Sequence, residues 1–301
     1  MKKILFPATN RVHLARQKLL LDELRFHFDV SVEEYQSPYN DILNVVADCA
    51  NHYRNVINNP FDLVLIRGDR YEMLPIAMLC AYRGTLIAHI EGGDLSGAID
   101  NKVRHALTQL ADIHFATNEE SHIRLIGMGV LPSKVFNFGS LDAEYAASIR
   151  VPKYEGEPYL MVVYHPLAGE DIDELEWGLR FWKGKIVRIK SNKDSGKTYG
   201  KEEYSPEEYI GLMANARCLV GNSSSFLKEA SVLGTPTVNV GGRQKLRLMP
   251  QNVLSIPVRG FEIENAIKYQ LEHGRYQPSS VYFQEGTSKK ITEQLVLYEN
   301  S

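Results

Sequence analysis

Three carboxylates, Asp69, Glu91 and Asp100, follow closely on the ends of short apolar runs. Asp69 stands in Arg67-Gly68-Asp69-Arg70 after Leu63–Ile66, and Glu91 in His89-Ile90-Glu91-Gly92-Gly93-Asp94 after Leu86–Ala88. Asp100 closes Ser96-Gly97-Ala98-Ile99-Asp100, ahead of a helical pattern that carries Arg104 and His105. If the apolar runs are parallel strands, the three carboxylates gather at one edge of a sheet. Carboxylates brought into one site cannot all ionise alike, which lets one act as an acid and another as a base. Taken singly, each has a plainer reading as a solvated loop residue. Asp100 could simply cap the helix that opens near Asn101.

A second constellation lies in the C-terminal half. Val220-Gly221-Asn222-Ser223-Ser224-Ser225 is an apolar run that breaks into a serine-rich turn opening a helix. Free backbone N–H groups, hydroxyls and the positive end of a helix dipole make such a turn a phosphate site. Capping by one of the serines is the simpler alternative. Glu229 lies one turn into that helix, within reach of ribose hydroxyls. Neither GxGxxG nor GxxxxGK[ST] occurs, so a dinucleotide fingerprint and a P-loop are both absent. Arg11 and Lys18 are basic groups in the first strand-to-helix turn. His165, before Pro166, ends the first strand of the second half; such a histidine is often structural, but here it would face the same cleft. Carboxylates in one half and phosphate-binding groups in the other suit a substrate with an uncharged reacting part and a phosphate-bearing part, such as a nucleotide sugar.

The elements that must position these groups alternate along the whole chain. Strands are expected at Lys3–Phe6, Phe28–Val32, Leu63–Ile66, Leu86–Ile90, Ile113–Ala116 and Val135–Phe138, with helices at Leu14–Phe26 and Asp41–Ile57. After a polar stretch, Leu141–Pro158, that reads as a linker, strands recur at Tyr159–Tyr164, Lys185–Ile189, Cys218–Val220 and Thr237–Val240. Helices are expected between them at Asp171–Trp182, Pro206–Ala216 and Ser225–Leu233, and two more near Glu262–Glu272 and Lys289–Tyr298. Strands alternating with helices build βαβ units and a parallel sheet, whose ligands sit beyond the C-terminal strand ends. The expected fold is α/β, with two doubly wound, Rossmann-like domains at residues 1–150 and 151–301 and a cleft between them.

Composition narrows the function classes. At ~150 residues per domain, 301 residues suit two domains, and 44 % hydrophobic with 24 % charged residues is ordinary for a globular protein. Lys plus Arg number 34 against 37 Asp plus Glu, a net charge of −3 with no basic run, so nucleic acid is not an expected partner. Cys49, Cys80 and Cys218 form no CxxC pair, which fits a reducing compartment and argues against a zinc site. The signal-like start Met1–Phe6 ends at Pro7, and the longest later apolar stretch, Met73–Tyr82, is half the ~20 residues of a membrane span. A cytoplasmic location without a membrane partner is expected.

These motifs resemble the UDP-N-acetylglucosamine 2-epimerases, and within them the hydrolysing branch that makes N-acetylmannosamine for sialic acid synthesis. Gly68-Asp69-Arg70-Tyr71-Glu72-Met73 is similar to that branch's GDR(F/Y)EM, and HIEGGDLSGAIDNKVRHALTQL, His89 to Leu110, to its HIxGGE…GAIDDxIRHAITKL. Gly221-Asn222-Ser223-Ser224-Ser225, Gly234-Thr235-Pro236 and Gly242-Arg243-Gln244 resemble GNSSS, GxP and G(D/T)RQ. The resemblance implies the B-type glycosyltransferase (GT-B) fold, with the last helix returning to the first domain. It implies catalytic roles for Asp69, Glu91 and Asp100, with His165 near the diphosphate. It places Arg11, Ser223, Ser224 and Ser225 at the nucleotide phosphates, Glu229 at the ribose and Arg243 on an element closing over the nucleotide. Lys18, Arg70, His89, Arg104 and Asn192 complete the expected substrate-binding set. No metal and no cofactor are implied, and the active form is expected to be a homodimer or homotetramer.

Several positions depart from the family pattern. The first turn reads Thr9-Asn10-Arg11-Val12-His13 where the family has GTR(A/P)(D/E), the Asp-Asp pair is Asp100-Asn101, and GGE has become Gly92-Gly93-Asp94. The diphosphate-side NxDxGS survives loosely as Asn192-Lys193-Asp194-Ser195-Gly196, in the part of the chain that is shortest against the family. These changes bear on sugar identity and acyl-group contacts more than on reaction type. A UDP-sugar glycosyltransferase of the same fold would keep the nucleotide half without needing all three carboxylates. A non-enzymatic nucleotide-sugar sensor would need none of them.

Overall fold

A computed structural model describes residues 1–8, 11–39, 41–96, 100–167, 169–190 and 204–299, without the side chains of 11–13 and 299. The chain divides into two compact units, Met1–Leu141 with Gln284–Ser301, and Asp142–Phe283.

The first unit runs β1 (Lys3–Ala8), α1 (Arg11–Arg16), α2 (Lys18–Arg25), β2 (Asp29–Glu34), α3 (Ile42–Val56), β3 (Leu63–Arg67), α4 (Met73–Arg83), β4 (Leu86–Ile90), α5 (Asp100–Leu110), β5 (Ile113–Ala116), α6 (Glu119–Gly127) and β6 (Val135–Asn137). Its strands form one parallel sheet in the order β2-β1-β3-β4-β5-β6. Side chains alternate across it. Ile4, Phe6, Leu63 and Leu65 face one layer with Leu20, Leu21 and Leu24 of α2, while Leu5, Val64 and Ile66 face Cys49, Tyr53, Ile76 and Cys80 of α3 and α4. Burial on both faces explains why these strands read as continuous apolar runs. Burial also pushes the Cys49 and Cys80 thiols up to about 12, so they fill the core rather than act as nucleophiles.

The chain continues through α7 (Leu141–Ser148) into β7 (Tyr159–Val163), α8 (Ile172–Leu179), β8 (Lys185–Arg188), α9 (Pro206–Asn215), β9 (Cys218–Gly221), α10 (Ser225–Leu233), β10 (Thr237–Val240), β11 (Val253–Ile256) and α11 (Gly260–His273), before α12 (Thr287–Glu299). The second sheet is parallel, in the order β11-β10-β9-β7-β8. Tyr159, Met161 and Val163 of β7 face Met213, Phe226 and Leu227 of α9 and α10, and Leu160 and Val162 face Leu175, Ile263 and Ile267 of α8 and α11. The last helix, α12, belongs to the first unit: its Ile291 and Leu295 pack into the core layer that holds α2.

In both sheets the first strand lies between the second and the third, the flavodoxin-like order. The chain therefore reverses direction of growth between β1 and β3, and again between β7 and β9, and the crevice beyond such a switch point is where ligands of open α/β sheets bind. Both units are parallel, doubly wound α/β sheets, as expected from the sequence.

Local differences from the sequence reading have simple causes. The helix expected at Leu14–Phe26 is two helices broken at Gln17, which has left the helical backbone region at φ −103°, ψ 5°. The first half of the expected linker Leu141–Pro158 is the helix α7, whose Leu141, Ala143, Tyr145 and Ala146 are buried. The strand β11 carried too little signal, being four residues long and only partly buried at the sheet edge.

Candidate functional site

At the C-terminal edge of the first sheet, two arginines organise the carboxylates. Arg67, the last residue of β3, donates from Nη2 to Glu91 Oε1 at 2.7 Å and from Nε to the same oxygen at 3.2 Å. Both side chains are largely buried, at 8 % and 14 % exposure. Glu91 is the one non-glycine residue with positive φ among the described residues, at +69°. That left-handed conformation is costly for any residue that carries a Cβ, and the Arg67 pair helps to hold it. Arg104 of α5, at 2 % exposure, bonds Asp69 from Nη2, while its Nη1 donates to Asp94 O at 2.9 Å and Asn101 Oδ1 at 2.7 Å. Asp100 is the first residue of α5 and sits four residues before Arg104, on the same helix face.

The Gly92–Ser96 turn between these groups is tied from below. Asp94 is buried and accepts from Thr117 Oγ1 at 2.8 Å and Ser121 Oγ at 2.6 Å. Gly93 has φ +77°, and a Cβ there would lie 2.3 Å from Ser121 O, so this residue must be glycine for α6 to approach. His89 is fully buried beneath the turn, with Nε2 at 2.9 Å from Gly68 O; the carbonyl acceptor puts the ring proton on Nε2. The charges of Arg104, Asp69 and Glu91 act on this ring, though less than its burial does.

Burial pushes His89 down to about 4, and pushes His114, whose ring lies edge-on to it at 6.3 Å, down to about 4 as well. In the second unit burial, then Arg243, pushes His165 down to about 3. All three are therefore uncharged at neutral pH. Their folded values lie below the ordinary 6.5, so the unfolded chain takes up protons in acid that the folded chain refuses. The stability they contribute is complete above about pH 6.5 and is lost as pH falls toward 4, at most a few kcal/mol for each. The urea midpoint is expected to fall between pH 7 and pH 5, and His114→Gln to flatten that slope. A midpoint independent of pH over this range would contradict the burial of neutral imidazoles.

The second cluster forms at the switch point between β7 and β9. Asn222, fully buried, accepts from His165 N through Oδ1 at 2.7 Å and donates from Nδ2 to His165 O at 2.9 Å. One side chain thus takes both hydrogen bonds of the His165 peptide and sets the ring beside Arg243. Among the described residues, His165 Nδ1 is buried without a hydrogen-bond partner. Asn222 O in turn accepts from Arg243 Nη1 at 3.1 Å and Gln244 Nε2 at 2.8 Å. Ser224 stands at the N-cap of α10 without a side-chain capping bond, whereas Ser223 Oγ lies 2.8 Å from Ser225 Oγ, itself 2.6 Å from Tyr209 Oη. The Ser224 side chain does not cap α10; the N–H groups of Phe226 and Leu227 bond the carbonyls of Ser223 and Ser224, and the positive end of the helix dipole at this turn favours an anion.

Other expected site residues are placed differently. Lys18 is 73 % exposed and pairs with Asp22 one turn along α2. Arg70 is engaged with the buried Glu72, Nη2 to Oε1 at 2.5 Å and Nε to Oε2 at 3.2 Å. Glu229 is fully buried within α10. Arg11 opens α1, and its side chain, like the whole of Asn192, lies outside the described residues. Arg67, Asn222, Tyr209 and Gln244 were not singled out from the sequence. Arg67 and Asn222 carry a signal as the polar residues directly at the ends of β3 and β9, and Gln244 as part of the Gly242-Arg243-Gln244 segment, whereas Tyr209 carries none. Among the described residues no cluster of His, Cys, Asp and Glu is arranged to hold a metal ion, and no helix is long and apolar enough to cross a membrane.

The sequence matches the family profile described as UDP-N-acetylglucosamine 2-epimerase over residues 13–181 and 184–296. It is 31 % identical over 300 residues to polysialic acid biosynthesis protein P7 of Escherichia coli, covering 86 % of this chain and 76 % of that one. It is 30 % identical over 268 residues to a UDP-N,N'-diacetylbacillosamine 2-epimerase (hydrolyzing) of Legionella pneumophila, covering 78 % and 70 %. A solved UDP-GlcNAc 2-epimerase of Neisseria meningitidis bound to UDP-GlcNAc superimposes with a TM-score of 0.80 at 15 % identity over 98 % of this chain and 100 % of that one, a likeness of fold. With a profile spanning nearly the whole chain, the protein belongs to the UDP-N-acetylglucosamine 2-epimerase family.

Proposed function

We propose that the chain is a hydrolysing 2-epimerase that converts UDP-GlcNAc, or a close UDP-2-acetamido sugar, with water into the free 2-epimeric sugar and UDP. The observation that supports this reading best is that Asp69 and Glu91 follow the successive strands β3 and β4 and are each held by a buried arginine, with Asp100 opening α5 on the helix face of Arg104. The proton at sugar C2 is weakly acidic, and its removal needs a carboxylate fixed against it. As that proton leaves, the C1–O bond breaks and UDP departs with the electron pair, giving a 2-acetamidoglucal. Water then adds at C1, and a second carboxyl group returns a proton to the opposite face of C2. In the second unit, His165, Arg243 and the uncapped N-terminus of α10 receive the charge that develops on the leaving diphosphate. The HIEGG, GAIDN and GNSSS segments, and the hydrolysing activity in the name of the Legionella relative, support water rather than UDP as the group that adds to the glucal. N-acetylmannosamine as product would suit sialic acid synthesis, in keeping with the polysialic acid relative.

The test is turnover of UDP-GlcNAc in D2O followed by NMR. The expected products are free N-acetylmannosamine bearing deuterium at C2 and one equivalent of UDP. A plateau of UDP-ManNAc with little free UDP would assign the reversible, non-hydrolysing reaction instead. Release of UDP only in the presence of an acceptor, with the sugar joined to that acceptor, would point to a transferase, and binding without turnover to a sensor. UDP is expected to bind with the same affinity in EDTA as in Mg²⁺, because fixed protein charge takes the place of a metal at the diphosphate; calorimetry reads this directly, and a strict need for Mg²⁺ or Mn²⁺ would count for the transferase.

A further inference from the structure

Asn101 is the position at which the chain carries an amide in place of the family's second aspartate, and its side chain gathers more bonds than any capping role needs. Its Oδ1 accepts from Ser96 N at 2.9 Å, from Ser96 Oγ at 3.3 Å and from Arg104 Nη1 at 2.7 Å. Its Nδ2 donates back to Ser96 O at 2.6 Å. The Ser96 peptide is thereby clamped from both sides, and one oxygen couples that clamp to Arg104. The other terminal nitrogen of Arg104 bonds Asp69, and Asp94 O, two residues before Ser96, shares Nη1.

We infer that Asn101 is a positioning residue for the epimerase reaction: its Oδ1 fixes the plane of the Arg104 guanidinium, so that Nη2 presents Asp69 to the sugar. The inference rests on the carboxylate role proposed above. A guanidinium is rigid and planar, so anchoring Nη1 determines where Nη2 points. Arg104 is buried, and among the described residues Asp69 is the carboxylate bonded to it. Charged neighbours on the adjoining elements are otherwise committed, Glu91 to Arg67 and Glu72 to Arg70. Without the Asn101 acceptor, Nη1 keeps only the Asp94 carbonyl, and the guanidinium is free to rotate about it and carry Asp69 out of line. A small misplacement of this kind lowers turnover without weakening substrate binding.

The experiment compares Asn101→Leu, which is close in size but accepts nothing, with Asn101→Asp, which keeps the acceptor toward Ser96 N and Arg104. For Asn101→Leu, kcat is expected to fall at least ~10-fold with KM within about threefold of the parent. Asn101→Asp should retain kcat within about threefold, a rescue by the acceptor oxygen. Crystal structures of the two variants give a readout that needs no turnover: Arg104 Nη2 leaves Asp69 in Asn101→Leu and stays on it in Asn101→Asp. If Asn101→Leu does not fold, Asn101→Ala carries the same expectation. Parent-like kcat in Asn101→Leu, or an Arg104–Asp69 bond unchanged in its structure, overturns the inference. A parent enzyme that does not turn over UDP-GlcNAc would defeat the epimerase reading instead, and the two structures would still decide whether Asn101 positions Arg104.

Discussion

Asp100→Asn is expected to lower kcat by at least ~10²-fold, about 2.7 kcal/mol of barrier, while UDP binding and the melting temperature stay near those of the parent. The argument is positional. Asp100 is the first residue of α5, and the helix places it on the face of Arg104, whose guanidinium holds Asp69. It is only half-buried, so it can meet a ligand. Asparagine keeps the size of the side chain but cannot take or return a proton. Were Asp100 only a favourable charge in the first turn of a helix, its loss would cost some 0.3–1 kcal/mol of stability and leave turnover alone. The two roles therefore separate cleanly in one variant: steady-state UDP release reads kcat, and thermal unfolding reads the helix. Parent-like kcat with a lowered melting temperature would reduce Asp100 to a helix residue.

Why some of this was legible in the sequence follows from where each signal resides. The limits of β4, β5, α10 and β10 agree with the sequence reading residue for residue. Each is a short, strongly buried run bounded by polar or glycine-containing breakers, so local pattern alone defines it. The switch points were not readable, because strand order is a property of non-local pairing. Yet once βαβ alternation is accepted, the chemistry has to follow the strand ends, and Asp69, Glu91 and His165 do stand there. The partners of those groups escaped for the same reason as the strand order. Asn222 meets His165 across 57 positions of sequence, and Arg104 meets Asp69 across 35. Nothing in the spacing of either residue announces the other. Lys18 shows another non-obvious partner: a basic residue at a helix start suggests an anion, and a turn of helix places Asp22 next to it, both largely in solvent.

Gly221→Ala is expected to destabilise the protein by at least ~4 kcal/mol, in the rare class of single substitutions that threaten folding outright. Gly221 ends β9 at φ +143°, a conformation that side chains rarely adopt, and a Cβ there would lie 1.9 Å from Val163 O and 2.7 Å from Val163 C. Both atoms are main chain, so no rotamer change relieves the clash. Gly221 pairs with Val163 in the β7–β9 register, and Val163 O also accepts from Asn222 N at 3.1 Å. Room for one methyl group has to come from parting the two strands at the switch point, which breaks that bond and draws Asn222 off the His165 peptide. At about 2–4 °C per kcal/mol for a domain of this size, the melting temperature should drop by roughly 10 °C or more. Gly211→Ala is the matched control. Gly211 lies inside α9, where an added Cβ meets nothing within 4 Å, and alanine there should stabilise by about 0.5–1 kcal/mol. The same chemical change thus carries opposite signs at two positions ten residues apart in sequence. Urea unfolding of both variants decides it: a Gly221→Ala protein within ~1 kcal/mol of the parent would mean that β7 and β9 do not meet in this register.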